Sequence, residues 1–186
     1  PESNDWPYAL IDTYDAIANF HELMQQEQYR VLRIIGAGKM GKSNLITNIY
    51  PAIANQDYHA ACAILDVRNQ ANAISDLLYT AFVQLEAKVK FDRYYKVYCE
   101  WPSQKDYESF AAIQKITRAF SHDLREAKSI RLVMLVDSVN DASEIVKKWI
   151  TDDLLMQLSM LDNVRVVIGG RALPEPHPSY QAKCKE

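Results

Sequence analysis

The stretch Tyr29–Asn44, YRVLRIIGAGKMGKSN, constrains the fold of this chain more than any other part of it. A short apolar run at its start is long enough for one buried strand, and a glycine-rich loop then leads into a segment typical of a helix start. Gly36, four further residues, Gly41, Lys42 and Ser43 match the spacing of a P-loop. In that motif backbone N–H groups surround the phosphates, the lysine reaches the β- and γ-phosphate oxygens, and the hydroxyl binds Mg²⁺. The stretch therefore predicts a strand, a phosphate-binding loop and a helix in succession.

The same loop also fits a second motif, G-x-G-x-x-G, through Gly36, Gly38 and Gly41. That pattern is typical of dinucleotide-binding (Rossmann) domains, in which an acidic residue about 20 positions further on binds the ribose. Asp66, at the end of the next apolar segment, lies 25 residues after Gly41 and is available for this role. The lysine and serine that directly follow Gly41 are not needed at a dinucleotide site. The P-loop interpretation is therefore favoured, and an NAD(P)-dependent oxidoreductase is the alternative.

Two later apolar segments end in charged residues. The segment Ile130–Val136, IRLVMLV, is followed by Asp137, and a strand that delivers a carboxylate in this way is typical of a Walker B motif, which holds Mg²⁺ beside the phosphate loop. The segment Val164–Ile168 runs through two glycines into Arg171. The chain has 5 glycines, and all of them lie in the phosphate loop or directly before Arg171. This distribution predicts close approach of the backbone to other groups at both places.

Composition and charge argue against several classes of protein. A length of 186 residues suits one domain, and 48% apolar residues is enough for a substantial core. A net charge of −3 gives no general electrostatic reason to bind nucleic acid or an anionic membrane. No apolar run approaches the roughly 18 residues of a membrane helix, and no signal peptide opens the sequence. The 3 cysteines and 4 histidines are scattered without metal-ligand spacing, which argues against a metal site. The cysteines are odd in number and widely separated, so a reducing, cytoplasmic location is expected.

Hydrophobic periodicity predicts alternating helices and strands along the rest of the chain, after a polar segment over residues 1–10. Pro51 is expected to end the helix that follows the phosphate loop, and Thr151 to begin a later helix. The aromatic-rich segment Phe91–Phe110 is expected either to pack its own small cluster as an insertion or to form a partner-binding surface. Three prolines predict an extended or irregular structure for Ala172–Glu186. The remaining predicted elements are helices over Ile11–Gln28, Lys42–Tyr50, Ala73–Val89 and Tyr107–Ala127, and a strand over Ala60–Val67.

Taken in order, these elements give an α/β domain that resembles the additional-strand class of P-loop NTPases, and within it the STAND group of signalling ATPases with the NACHT and AP-ATPase families. The resemblance rests on VLRIIGAGKMGKS as Walker A, RLVMLVDSVND as Walker B and VRVVIGGRALP as the sensor-1 strand. The segment IDTYDAIANFHELM is similar to the short helix that these proteins place before the phosphate loop. The resemblance implies a three-layer domain with a mostly parallel central sheet, in which the strand ending at Arg171 lies between the other two.

The resemblance also implies the ligands and the roles of individual residues. ATP or ADP with Mg²⁺ would bind over the loop, with adenine contacts from backbone near Leu10–Tyr14, and slow hydrolysis would switch a larger, self-associating protein between two states. Ser43 and Asp137 would hold the metal ion, and Arg171 would lie beside the γ-phosphate. The residues expected to bind nucleotide are Gly36, Ala37, Gly38, Lys39, Met40, Gly41, Lys42, Ser43 and Asn44, and those expected to act in catalysis are Lys42, Asp137, Asp141 and Arg171.

Two departures from the family pattern concern the site itself. Lys39 stands where the family's loop carries glycine, and Ser138 stands where a second acid usually follows the Walker B aspartate. The role of orienting the attacking water then falls to Asp141, to Glu144 or to no residue. A nucleotide-binding interaction module without catalysis is therefore a further alternative.

A third departure concerns the extent of the domain. The family's last strand and its lid subdomains have no counterpart before Glu186, which predicts a fragment of a longer protein. Within this fragment we expect an N-terminal segment and helix over residues 1–28 and the NTPase core over residues 29–186. The sequence also lacks the guanine-reading N-K-x-D pattern, which favours ATP over GTP.

Overall fold

The computed structural model describes residues 6–37, 40–68, 74–101 and 109–186, and its centre is a parallel sheet of five strands. Their order across the sheet is β2-β3-β4-β1-β5. The strands are β1 (Val31–Ile35), β2 (Ala61–Asp66), β3 (Leu132–Asp137), β4 (Val164–Gly170) and β5 (Cys184–Lys185).

Helices connect the strands, and two of the helices change type along their length. None of the described helices is long and apolar enough to span a membrane. A 3-10 turn, Val139–Asp141, follows β3. The helices are α1 (Trp6–Gln25), α2 (Lys42–Asn44, Leu45–Ile49 and Tyr50–Tyr58 in succession), α3 (Ile74–Leu85), α4 (Asp92–Glu100), α5 (Phe110–Glu126), α6 (Glu144–Trp149, Ile150–Leu154 and Leu155–Leu158 in succession) and α7 (Pro178–Gln181).

The order of the strands brings the two charged strand ends next to the phosphate loop. β4, which leads to Arg171, pairs with β1 on one side and with β3 on the other. Ile35, the last residue of β1, lies opposite Gly170, and Asp137 lies opposite Asp66 of β2. This arrangement confirms the expected α/β fold with a parallel central sheet of the additional-strand type.

The same order excludes the dinucleotide-binding alternative. In that fold the first two strands are neighbours, so that the acid at the end of the second strand reaches the ligand on the glycine loop. Here β3 and β4 separate β1 from β2. Asp66 therefore does not lie beside the glycine loop, and the Rossmann oxidoreductase interpretation of GAGKMG is wrong.

Helices cover both faces of the sheet and give it two cores. The larger core includes Met134 of β3 and lies under α3, α5 and α6. The smaller core includes Val133 and Leu135 of β3 and lies under α1 and α2, with α1 contributing Phe20 and Leu23. β3 is buried along its whole length because it has a helical layer on each face and a strand on each side.

The aromatic segment packs into the larger core and not as a separate cluster. Phe91 and Tyr94 are buried there, and the Phe91 ring stacks on Phe120 of α5 with 5.2 Å between ring centroids. The buried carboxylate of Asp123, also on α5, accepts a hydrogen bond of 2.8 Å from the Tyr94 N–H at the N-terminus of α4. These long-range contacts make the expectation of an independent insertion wrong. Residues 102–108 of the segment lie outside the described residues.

Two predicted helix boundaries are also wrong. Pro51 does not end a helix. The π-helical segment Leu45–Ile49 is followed directly by the last part of α2, which starts at Tyr50, and Pro51 lies in the first turn of that part. The wider π turn leaves a carbonyl without its usual partner, so a residue that lacks an N–H fits there. Thr151 lies inside the π-helical segment Ile150–Leu154 of α6, and its hydroxyl donates to the Lys147 carbonyl at 3.1 Å. This side-chain bond back to the preceding turn suits a helix interior.

Both ends of the chain are more regular than expected. α1 begins at Trp6, so part of the expected polar segment is helical. Pro178 opens α7, where the missing N–H of proline costs nothing. β5 pairs in parallel with β1, with Cys184 opposite Val31, so the expectation that the family's last strand is missing is wrong. A strand of two residues has no hydrophobic period that a sequence pattern can reveal.

Candidate functional site

The candidate site is a cavity of about 390 Å³ at the edge of the sheet where the parallel strands end. We call this edge the carboxyl edge and this cavity the phosphate-loop cavity. Residues 40–44 line it from the loop and the start of α2, and Asp137, Asp141 and Arg171 line it from the ends of β3 and β4. The structure therefore brings the predicted basic, acidic and hydroxyl side chains to one place. Gly38 and Lys39 lie outside the described residues.

Local backbone geometry explains the glycines of the loop. Gly41 has a φ of 81°, a left-handed conformation that side chains disfavour, directly before the first residue of α2. The Gly36 N–H donates to the Gly170 carbonyl at 3.3 Å, which joins the start of the loop to the end of β4. The Lys42 ammonium donates to the carbonyls of Gly36 and Ala37 at 2.7 and 2.5 Å. The Lys42 side chain is therefore held against the same loop that would bind the phosphate groups.

The glycines at the end of β4 allow α2 to approach the sheet. A Cβ atom on Gly169 would lie 2.3 Å from Cδ1 of Ile46, which is fully buried, so a side chain at position 169 would force this part of the core to shift. A Cβ atom on Gly170 would lie 3.1 Å from the side-chain oxygen of Asn140. The prediction of close backbone approach is confirmed at this strand end. It follows that α2, and with it the phosphate loop, is placed by contact with β4.

Asp137 is a buried charged group with an unsatisfied oxygen atom. Its side chain is 2% exposed, and its Oδ2 atom makes no hydrogen bond within the described part of the chain. A buried carboxylate oxygen without a partner is costly unless a cation or a donor reaches it. The Ser43 hydroxyl lines the same cavity and is exposed. A carboxylate and a hydroxyl are oxygen ligands that suit Mg²⁺, so these two residues fit the predicted metal site.

The short turn after β3 places the predicted water-orienting residue. Asn140 donates through its side-chain nitrogen to the Asp141 carboxylate at 2.6 Å and accepts from the Arg171 backbone N–H at 2.8 Å. This amide therefore joins Asp141 to the end of β4. Glu144, the other acid considered for this role, pairs with Lys147 at 2.8 Å and does not line the cavity. Between the two acids, the geometry favours Asp141.

Sequence reasoning missed two residues of this cavity, Arg68 and Asn140. Arg68 lines the cavity and forms an ion pair with Asp66, to which its Nε donates at 2.9 Å. The hydrogen bond from Arg68 lowers the pKa of the Asp66 carboxyl, although partial burial opposes it. Asp66 raises the pKa of Arg68, and Asp137 and Asp141 add to this effect. The available signal was that Arg68 follows the end of β2, because all parallel strands end at the same edge.

A second cavity, of about 410 Å³, adjoins the phosphate-loop cavity and shares Met40 and Lys42 with it. It lies between α1 and the loop. Thr13 of α1 lines it on one side, and apolar side chains such as Ile34 and Leu45 line it on the other. Thr13 belongs to the segment Leu10–Tyr14, and the expectation of adenine contacts from the backbone of that segment stays a prediction.

No family model and no curated protein matches this chain. Among solved structures, the chain is similar to Cdc6p from Pyrobaculum aerophilum, with a TM-score of 0.58 and 11% sequence identity. The match covers 92% of this chain and 40% of that chain, so this chain spans about two fifths of its structural neighbour. At this level of identity the likeness shows the fold alone. The fold is that of a P-loop NTPase domain, in agreement with the strand order and with the loop between β1 and α2.

Proposed function

We propose that this chain is the ATP-binding module of a STAND-type P-loop NTPase, in which bound nucleotide sets the state of a larger signalling protein. One observation carries the proposal: a single cavity at the carboxyl edge is lined by Lys42, Asp137 and Arg171. These residues come from three different elements, and a triphosphate with a metal ion needs this combination of two cations and one carboxylate.

The loop residues would bind the phosphates. The Lys42 ammonium already donates hydrogen bonds to the carbonyls of Gly36 and Ala37. It would therefore reach a phosphate by exchanging these hydrogen bonds, without a long movement of the side chain. Ser43 and Asp137 would hold Mg²⁺, which neutralises phosphate charge when it is bound. The base would lie in the second cavity, against α1 and the apolar side chains there.

Hydrolysis would depend on the turn after β3 and on the end of β4. Asp141 would orient the attacking water, and Asn140 would hold the Asp141 carboxylate in position through its hydrogen bond of 2.6 Å. Arg171 would stabilise charge on the γ-phosphate from the neighbouring strand end. Because Ser138 replaces the second Walker B acid, we expect slow hydrolysis, which suits a switch whose state must persist.

Ligand-induced stabilisation tests the proposal. A ligand that binds the native state and not the unfolded chain raises the melting temperature, and the rise grows with the logarithm of the ligand concentration relative to Kd. We expect ATP and ADP with Mg²⁺ to raise the melting temperature of this chain and NAD⁺ and NADPH to leave it unchanged. A rise with the dinucleotides and none with ATP or ADP would contradict the proposed function.

Single-turnover hydrolysis distinguishes the switch from an interaction module that binds nucleotide without catalysis. We expect Asp141→Asn to slow phosphate release about a hundredfold, the lower end of the usual contribution of one acid–base group. Glu144→Gln is the matched control, since Glu144 lies on the same segment but does not line the cavity. If the unmodified chain and Asp141→Asn both release no phosphate while binding ATP, the binding-only alternative is correct.

A further inference from the structure

A second group of charged residues lies at the opposite edge of the sheet, where the strands begin. There, a cavity of about 340 Å³ is lined by Arg30, Arg131 and Arg165. Arg30 directly precedes β1, Arg131 directly precedes β3, and Arg165 is the second residue of β4. We call this the arginine cavity and this edge the amino edge. It shares no lining residue with the phosphate-loop cavity.

Two of the three arginines have structural partners. Arg30 donates to the carbonyls of Glu27 and Tyr29 and forms an ion pair of 3.1 Å with Asp162. Arg165 donates through Nε to the Leu23 carbonyl at 2.9 Å and through Nη1 to the Asp162 carbonyl at 2.9 Å. These bonds fix both guanidinium groups at the C-terminal end of α1. Their orientation therefore needs no ordering when an anion binds.

The third arginine, Arg131, has no such partners within the described part of the chain. Arg131 is exposed, and its side chain makes no hydrogen bond or ion pair within the described part of the chain. The Nη2 atom of Arg165 likewise has no hydrogen-bond partner there. Glu27 and Asp162 are the carboxylates among the lining residues, and the Asp162 side chain is 98% exposed. The cavity thus holds three guanidinium groups against two carboxylates, of which one lies largely in solvent.

Electrostatic strain accompanies this arrangement. Burial, together with repulsion from Arg30 and Arg131, lowers the pKa of Arg165 to about 10, although the carboxylates of Asp162 and Glu27 oppose this shift. A compact anion in the cavity would relieve that repulsion, while a neutral ligand would not. A phosphate monoester carries nearly two negative charges at pH 7 and presents oxygens that match the guanidinium fork.

We propose that the arginine cavity binds the phosphate group of a small phosphorylated molecule. Its volume is at the lower end of the range of about 300–1,000 Å³ for small-molecule sites. Arg30 and Arg165 supply fixed donors, and Arg131 supplies an exposed cation whose side chain has no hydrogen bond or ion pair within the described chain. The inference does not depend on the proposed ATP site, which lies at the other edge of the sheet.

Pyrophosphate binding to the Lys42→Ala variant tests this inference, because that substitution weakens phosphate binding at the loop. We expect pyrophosphate to perturb the backbone amide resonances of Leu132 and Asn163, which line the arginine cavity. Arg131→Gln should weaken this binding about tenfold without unfolding the protein, since the Arg131 side chain has no hydrogen bond to lose within the described chain. Arg93→Gln, an exposed arginine on α4, is the matched control and should leave binding unchanged.

Three results would overturn the inference. The first is equal pyrophosphate affinity in Arg131→Gln and Arg93→Gln. The second is perturbation confined to the phosphate loop, and the third is no binding of pyrophosphate to Lys42→Ala. Failure of ATP to bind the unmodified chain would instead contradict the proposed function and leave the arginine cavity unaffected, so the two proposals fail in different experiments.

Discussion

The two edges of the parallel sheet carry similar charged side chains but hold them in different ways. At the carboxyl edge, the Lys42 ammonium bonds to carbonyls of its own loop, and one oxygen of Asp137 has no partner within the described chain. At the amino edge, Arg165 bonds to the Leu23 carbonyl, 142 positions away in the sequence. Hydrogen bonds between residues close in the sequence restrain a loop, whereas hydrogen bonds between residues far apart in the sequence join different elements of the fold.

This difference separates the groups available to ATP from the groups that stabilise the fold. Polar groups that lack a hydrogen-bond partner at a strand end are available to a ligand. Proteins place such groups in their binding sites at some cost in stability. Charged groups that satisfy main-chain carbonyls between elements stabilise the fold. Substitutions at the carboxyl edge should therefore change ATP binding more than stability, and substitutions of Arg30 or Arg165 at the amino edge should change stability more than ATP binding.

Lys42→Ala should have the largest effect and should sharpen this comparison. Without the ammonium, ATP affinity should fall at least a hundredfold, or about 2.7 kcal/mol. The free energy of unfolding should change by less than about 0.5 kcal/mol, since the lost bonds lie within one loop. Titration calorimetry and urea unfolding measure the two quantities.

Lys183→Ala is the matched control, because Lys183 also donates to a carbonyl, that of Ser159 at 2.9 Å, far from the loop. Wild-type ATP affinity in Lys42→Ala would refute the assignment.

Arg165→Ala should show the opposite pattern at the amino edge. The substitution leaves the carbonyls of Leu23 and Asp162 without their donor, which should lower the free energy of unfolding by about 2 kcal/mol. ATP affinity should stay within about twofold of the unmodified chain. Urea unfolding and calorimetry again provide the readouts. Unchanged stability together with weaker ATP binding would break the division between the two edges.

Asp137→Asn should lower metal-dependent binding without lowering stability. Asparagine keeps the shape of the side chain and removes a buried charge that has an unpartnered oxygen, so the free energy of unfolding should stay equal or rise slightly. ATP affinity should fall about tenfold in Mg²⁺ and match the unmodified chain in excess EDTA, because the carboxylate acts through the metal ion. Equal affinity in Mg²⁺ would show that Asp137 does not hold the ion.

The sequence predicts the parts of the site that come from strand ends and known spacing. Asp137 and Arg171 follow buried apolar runs, and parallel strands must end at one edge, so their shared location was predictable. The position of Lys42 follows from the motif in the same way.

Residues that act through loop geometry were not predictable from the pattern. Asn140 takes its role from a 3-10 turn that joins two strand ends, and no periodicity marks such a residue. Arg30, Arg131 and Arg165 are far apart in the sequence and meet because β1, β3 and β4 begin at one edge. The order of the strands, which composition does not reveal, decides both sites.

Arg68→Gln should have the smallest effect and tests whether an exposed pair at the carboxyl edge contributes to stability at all. Asp66 and Arg68 have side chains 43% and 55% exposed, so solvent screens their attraction and its loss should cost less than about 0.5 kcal/mol. The pKa of Asp66 is lowered in the folded chain, so this small stabilisation is present above the unfolded pKa of about 4 and is lost as the pH falls through the lower, folded value. In Arg68→Gln the Asp66 pKa, measured by NMR titration, should rise toward its ordinary range. A loss of stability as large as that expected for Arg165→Ala would instead mean that this pair joins elements of the fold, and the contrast between the two edges would not hold.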